Sequence, residues 1–201
     1  MFVDEKGNFV DGDIPLALLS RKYLSFTDKI VCSVDTGSTV RDEVEKNNGE
    51  TVFAPRGAVF TALKCIEEDI VFGGQPNGHL MDREFVPYDS GSLFALLVAG
   101  MVSESGKSFS ELIDSLESYE VEKFNVQTEE KEAAMSRVRE AAEEANMVIE
   151  DKFNATRLKF QNYKALVRPS GSEDLIRVTL ESRKPDEEDS RKAKEFIRKH
   201  L

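Results

Sequence analysis

Apolar and polar positions follow two rhythms along this chain, and the change from one to the other divides it. In the first part, Lys29-Ile30-Val31-Cys32-Ser33-Val34 is a continuous apolar run of the kind found in a strand covered on both faces. Thr51-Val52-Phe53 and Asp69-Ile70-Val71-Phe72-Gly73 repeat it. Between these runs, apolar residues at helical spacing predict helices over 14–23, from Asp35-Thr36-Gly37-Ser38-Thr39 to Val44, and over 59–67. Asn47-Asn48-Gly49 ends the second helix in residues that tolerate left-handed backbone. Strand, helix, strand, helix, strand predicts an α/β domain, three-layered with a mostly parallel sheet, whose ligands gather at the carboxyl ends of the strands. Residues 92–102 add an apolar helix. Residues 1–13 read as a hairpin turning at Glu5-Lys6-Gly7-Asn8, which needs a larger sheet to join and suggests a start partway through a larger architecture.

The small polar stretch Ser103-Glu104-Ser105-Gly106-Lys107-Ser108 marks the expected domain boundary. Beyond it come a short helix from Phe109, a strand over 119–126, and a helix to about Asn146 with Ala134, Val138, Ala141 and Ala145 on one face. A strand over 153–160, two more over 163–167 and 175–180, and a helix over 187–200 complete the chain. This half reads as a smaller α+β domain with a mostly antiparallel four-stranded sheet. The expected division is 1–24 as the tail of a preceding α/β domain, 25–105 as the α/β domain and 106–201 as the α+β domain.

Composition narrows the partners. The 201 residues are 40% hydrophobic, enough for proper cores, and 38 acidic against 27 basic side chains give a formal charge of -11. That balance argues against nucleic acid or an anionic membrane as partner. No apolar run is long enough to span a membrane and no basic-then-apolar amino terminus occurs, so a cytoplasmic location is expected. Cys32 and Cys65 have no metal-ligand spacing and the chain has 2 histidines, so no metal is expected here and both cysteines read as buried free thiols.

Two loops carry candidate chemistry. Arg168-Pro169-Ser170-Gly171-Ser172-Glu173 lies between two β-rich runs and combines a guanidinium, two hydroxyls and a glycine. Arg168 offers a bidentate fork, Ser170 and Ser172 short donors, and Gly171 a backbone free to turn its N–H inward. Composition leaves open a phosphate cradle and an ordinary hairpin turn. Gly73-Gly74-Gln75-Pro76-Asn77-Gly78-His79 sets two amides and an imidazole around three glycines, suited to a polyhydroxylated ligand, or else to a plain glycine-rich turn. Asp11-Gly12-Asp13 offers hard ligands for magnesium, but Asp13 equally suits the cap of the helix that follows.

Taken together, "VDEKGNFVDGD", "FGGQPNGH", "YDSG" and above all "VRPSGSEDLIRV" resemble segments of the α-D-phosphohexomutases, the phosphoglucomutase, phosphomannomutase and phosphoglucosamine mutase family. The resemblance covers essentially the whole chain and places it in the carboxyl-terminal half: the end of the second domain, the sugar-binding third and the phosphate-binding fourth. It implies that Arg168, Ser170, Gly171 and Ser172 hold the substrate phosphate, with Ser172 replacing the usual Thr, and that Gln75, Asn77 and His79 face the sugar. Gln75 and Asn77 stand where the family has Glu and Ser, which implies altered sugar preference, and Arg56 stands where a small apolar residue is usual, as a possible anion contact. The family's phosphoserine and its magnesium loop have no counterpart here. The expectation is therefore a hexose-phosphate-binding part of an isomerase that is inactive alone. Mg2+ ligands and the response to a bisphosphorylated hexose activator would belong to the intact enzyme, with the missing amino-terminal domains as partners. The alternatives are a catalytically inactive paralogue that senses sugar phosphate, and a protein-interaction role for the acidic carboxyl-terminal helices.

Overall fold

The computed structural model describes residues 2–201. They form two compact units, the first ending at Ser118 and the second running from Tyr119 to Leu201. The first opens with a small hairpin, β1 (Phe2–Val3) and β2 (Phe9–Val10), then α1 (Asp13–Tyr23), β3 (Lys29–Ser33), α2 (Ser38–Lys46), β4 (Glu50–Ala54), α3 (Ala58–Glu67) and β5 (Phe72–Gly74). It continues through β6 (Leu80–Asp82), β7 (Val86–Asp89), α4 (Gly91–Ser105) and α5 (Phe109–Ile113).

The sheet order is β4-β3-β5-β6-β7. β3 pairs in parallel with β4 and β5, whereas β6 and β7 continue antiparallel. The α/β class and its layers are as expected, but the sheet is mixed rather than mostly parallel. The cause lies in the connection after β5: a few residues cannot make the crossover of a dozen or more that a parallel return needs. β3 explains its own unbroken apolar run. Ile30 and Cys32 enter a core with Leu16, Leu19, Val40, Phe72 and Phe94, while Val31 enters a second core with Ala54, Ala62, Cys65 and Met81 on the opposite face.

The boundaries differ from those expected. α1 contributes Leu16, Ala17, Leu18 and Leu19 to the main core of the first unit, so residues 1–24 are no separate tail. Phe109, Leu112 and Leu116 join the same core, which moves the division from 105/106 to 118/119. The stretch read as a linker is a tight helix-to-helix turn. Gly106 takes a left-handed C-cap at φ 65, and Ser108 forms a capping box with Glu111. Both cysteines are buried free thiols. Burial pushes the Cys32 thiol far above its usual range and that of Cys65 up to about 12.

The second unit comprises β8 (Glu120–Gln127), α6 (Lys131–Glu144), β9 (Ile149–Lys152), β10 (Ala155–Lys159), β11 (Lys164–Pro169), β12 (Leu175–Ser182) and α7 (Glu187–His200). Its sheet, β8-β12-β11-β10-β9, is antiparallel throughout and has five strands, not four. The extra strand, β9, lies upstream of the strand expected at 153–160, and a two-residue turn at Phe153 and Asn154, φ 52 and 59, joins it to β10 as a hairpin. Ala134, Val138, Ala193 and Ile197 of the two helices pack on Val167, Ile176, Val178 and Leu180. One face of the sheet is thereby covered. Strand alternation turns Arg168 and Arg177 to the other face.

Candidate functional site

The loop between β11 and β12 is Ser170 to Asp174. Pro169 pairs with Ile176 and Ser170 N–H donates to Leu175 O at 2.9 Å, so the ladder closes at the mouth of the loop. Lys131, the first residue of α6, fixes the rest. Its Nζ donates to Ser170 O at 3.2 Å and to Glu173 O at 3.0 Å, and lies 3.5 Å from Asp174 Oδ1. In a trans peptide the N–H points opposite the C=O, so the amides of Gly171 and Asp174 point away from Lys131. Among the described residues, the N–H groups of Gly171, Ser172, Glu173 and Asp174 meet no protein acceptor. Four exposed amide donors in succession, beside a strand that ends in Arg168-Pro169, make a concavity suited to an anion. A Cβ built on Gly171 would meet nothing within 4 Å, so the space above the loop is open. Ser170 is buried, Ser172 exposed and Arg168 half-buried on the face opposite the helices.

In the first unit the loops after β3, β4 and β5 share one edge of the sheet, because these strands run parallel. The loop after β5 is a tight hairpin. Gly78 N–H donates to Gln75 O at 3.0 Å and Gln75 N–H to His79 O at 2.9 Å, with Gly78 at φ 87, a conformation that favours glycine. Asn77 Oδ1 accepts from His79 N–H at 3.3 Å. His79 Nδ1 lies 2.6 Å from Asp89 Oδ2, a contact that orients the ring and sets its tautomer. Beneath the hairpin lies Gly12, whose added Cβ would fall 2.2 Å from Pro76 O.

Two candidate residues are placed otherwise than the sequence suggested. Gln75, expected to face a sugar, is 1% exposed, and its amide nitrogen donates to Thr61 Oγ1 of α3 at 3.1 Å. A neutral amide tolerates such burial, whereas a carboxylate there would need a charged partner. Arg56 is exposed but engaged, its Nε 3.0 Å from Asp35 Oδ2. Asp11 and Asp13 serve the backbone: Asp11 Oδ1 accepts from Asp13 N–H and Asp13 Oδ2 from Gly37 N–H. The N-cap of α1 is thus Gly12, without a side-chain cap, and not Asp13. Sequence reasoning gave no role to Lys131, Asp89, Thr61, Glu173 or Arg177. All but the last two reach their partners across elements, and no local pattern signals such contacts.

The chain is thus a three-layer α/β unit followed by an antiparallel α+β unit. Residues 11–119 match the family model described as phosphoglucomutase/phosphomannomutase, alpha/beta/alpha domain III, and residues 123–199 that described as phosphoglucomutase/phosphomannomutase, C-terminal domain. The chain belongs to the phosphoglucomutase/phosphomannomutase family and corresponds to its carboxyl-terminal part. A probable phosphoglucosamine mutase of Methanopyrus kandleri is 33% identical over 90% of this chain and 41% of its own length. A phosphoglucomutase/phosphomannomutase family protein of Burkholderia thailandensis has the same fold at a TM-score of 0.85 and 16% identity, over 99% of this chain and 43% of that one. The Aspergillus fumigatus N-acetylphosphoglucosamine mutase, solved in complex with GlcNAc-6P and magnesium, gives 0.70 at 12% identity, over 99% of this chain and 45% of that one. This chain thus spans under half the length of the proteins it matches.

Proposed function

We propose that this chain supplies the sugar- and phosphate-recognising half of a phosphohexose mutase, an isomerase that exchanges hexose 1- and 6-phosphates. The observation that supports the reading is the run of four amide N–H groups from Gly171 to Asp174, without protein acceptors among the described residues, those of Gly171 and Asp174 being turned away from Lys131 by its bonds to the preceding carbonyls. Arg168, Ser170, Gly171 and Ser172 bind the phosphate. Asn77 and His79 meet sugar hydroxyls, the His79 ring being held through Nδ1 by Asp89 so that Nε2 is left for the ligand. Gln75 acts from behind, bracing the hairpin on Thr61. Arg56 contacts an anion only by exchanging Asp35 for it. That the matched relatives are named as mutases supports this reading over a sugar-phosphate sensor.

Catalysis needs more than these residues. Phosphoryl transfer requires an in-line nucleophile and a cation to spread the developing charge. Among the described residues, no three of His, Cys, Asp and Glu gather as a metal site, and the Asp11-Gly12-Asp13 carboxylates accept from backbone amides. These residues do not fit magnesium, so its ligands, and the response to a bisphosphorylated hexose, belong to the other half of the enzyme. The chain alone is inactive. Calorimetric titration with glucose 1-phosphate tests the binding: saturable uptake by the native chain, lost in Arg168→Ala, is expected. Absence of binding to the native chain, or turnover of a hexose 1-phosphate with bisphosphate primer by this chain alone, would overturn the proposal.

A further inference from the structure

The sheet of the first unit is covered unequally. Helices α1, α2, α4 and α5 all put residues into the core on one face, whereas α3 is the helix that contributes to the core on the other. A helix about 10 Å across spans roughly two strands set 4.8 Å apart, so α3 leaves much of a five-stranded sheet open. The helix itself turns Thr61, Ala62 and Cys65 inward, yet its outer side is apolar too. Val59, Leu63 and Ile66 lie on one stripe, each about half exposed, with Phe60 beside them. Water-facing helix surface normally carries charge there. α3 packs against β7, and next to it Val86 and Tyr88 of that strand are exposed, as is Phe85 just before it at 69%. Together these side chains show roughly 700 Å² to solvent, more than the few hundred Å² usual for a monomer and close to the 800 Å² or so that each partner contributes to a stable interface.

We propose that this face is where two copies of the chain join, α3 against α3 about a two-fold axis. The stripe is centred on Leu63, with Val59 a turn before it and Ile66 a turn after. Reversed by a two-fold axis it fits itself, Leu63 meeting the partner's Leu63 and Val59 the partner's Ile66. Charge favours the same occupant. The chain as a whole carries -11, but the border of this patch holds both signs, paired within the chain. Lys64 Nζ lies 2.7 Å from Glu68 and 3.6 Å from Glu67, and Arg83 Nη1 lies 2.6 Å from Asp69. Identical borders of one sign would repel, whereas these exchange partners across the axis. Phe60, Phe85 and Tyr88 supply the aromatic surface in which interfaces are rich. Two such faces bury about 1,400 Å², within the range of specific, stable contacts.

Sedimentation equilibrium of the full chain from low to high micromolar concentration tests this, and association that stops at two copies is expected. Leu63→Glu changes an exposed residue to one of similar helix propensity, so the chain still folds, as far-ultraviolet circular dichroism would verify. It sets two carboxylates against each other in apolar surroundings and is expected to weaken the dimer by at least about 100-fold. Leu96→Glu makes the same change on α4, which packs on the opposite face and leaves Leu96 71% exposed, and is expected to alter the dissociation constant by less than about twofold. A native chain that stays monomeric throughout overturns the proposal, the face then belonging to a different protein. Growth beyond two copies overturns the two-fold contact, because only a closed, self-matching interface stops there. A dimer that survives Leu63→Glu but is lost in Leu96→Glu overturns the choice of face.

Discussion

Gly12→Ala sets two effects of opposite sign against each other, and the structure decides between them. Gly12 has φ -65 and ψ -21, a right-handed conformation that alanine adopts without strain. On backbone grounds the change should stabilise, by about 0.4–1 kcal/mol, because it removes freedom from the unfolded chain. The added Cβ, however, would lie 2.2 Å from Pro76 O and 2.8 Å from Pro76 C and Gly78 N. All three are backbone atoms, so no side-chain rotamer relieves the contact. The hairpin over 75–79 or the start of α1 must move by about 1 Å to restore a normal separation, and overpacking of this kind costs about 1–3 kcal/mol. The net expectation is a loss of about 1–2 kcal/mol. Urea unfolding followed by far-ultraviolet circular dichroism should show a lower midpoint at unchanged slope. Amide NMR shifts should change most at Asn77, Gly78 and His79. A variant as stable as the parent, or more so, would refute the close approach between these two segments.

Three further outcomes follow from other contacts. Arg21→Ala strips the Nε partner from the buried Glu43 carboxylate, whose tendency to rise on burial is outweighed by Arg21, and should cost about 3 kcal/mol in denaturant unfolding. The Glu5 carboxyl is held down to about 2 by the Ser110 hydroxyl, with backbone amides assisting. Its depressed folded pKa gives a stabilisation complete above the unfolded value of about 4.3 and lost as pH falls towards 2, so Glu5→Gln should flatten part of the acid limb of a stability profile. An unchanged limb would show that the bond to Ser110 contributes nothing. Lys131→Met removes the two bonds that turn the loop carbonyls inward and should weaken inorganic phosphate binding by about fivefold in calorimetry, whereas unaltered affinity would mean that the loop holds its shape without the clamp.

Much of the fold was legible because the apolar code is local. The run at Lys29 to Ser33 announced a strand buried on both sides, Asn48 ended α2 in the left-handed conformation its type permits, and α7 begins and ends where its charges and spacing suggested. The turn at Phe153-Asn154 escaped notice because its first residue is an aromatic that rarely takes positive φ, so the usual Asn-Gly signal was missing. α5 was assigned to the wrong unit for a different reason: polarity marks a turn, but only packing shows to which core the next helix belongs. At the candidate site, "RPSGSE" displayed a guanidinium, two hydroxyls and a glycine in one loop. The orientation of its amides was not legible there, because that depends on Lys131, 39 residues away from Ser170. Gln75 shows the same limit, since residue type announces an amide but not whether it turns to solvent or to Thr61.

Cys32 and Cys65 lie in cores on opposite faces of the same sheet, and both belong to the first unit. Since the chain has 2 cysteines, the second unit carries no sulfhydryl. A dye that reacts only with exposed sulfhydryls would therefore keep time for the opening of the first unit and stay blind to the second. Opening of the first unit can thus be followed without attaching any label beforehand.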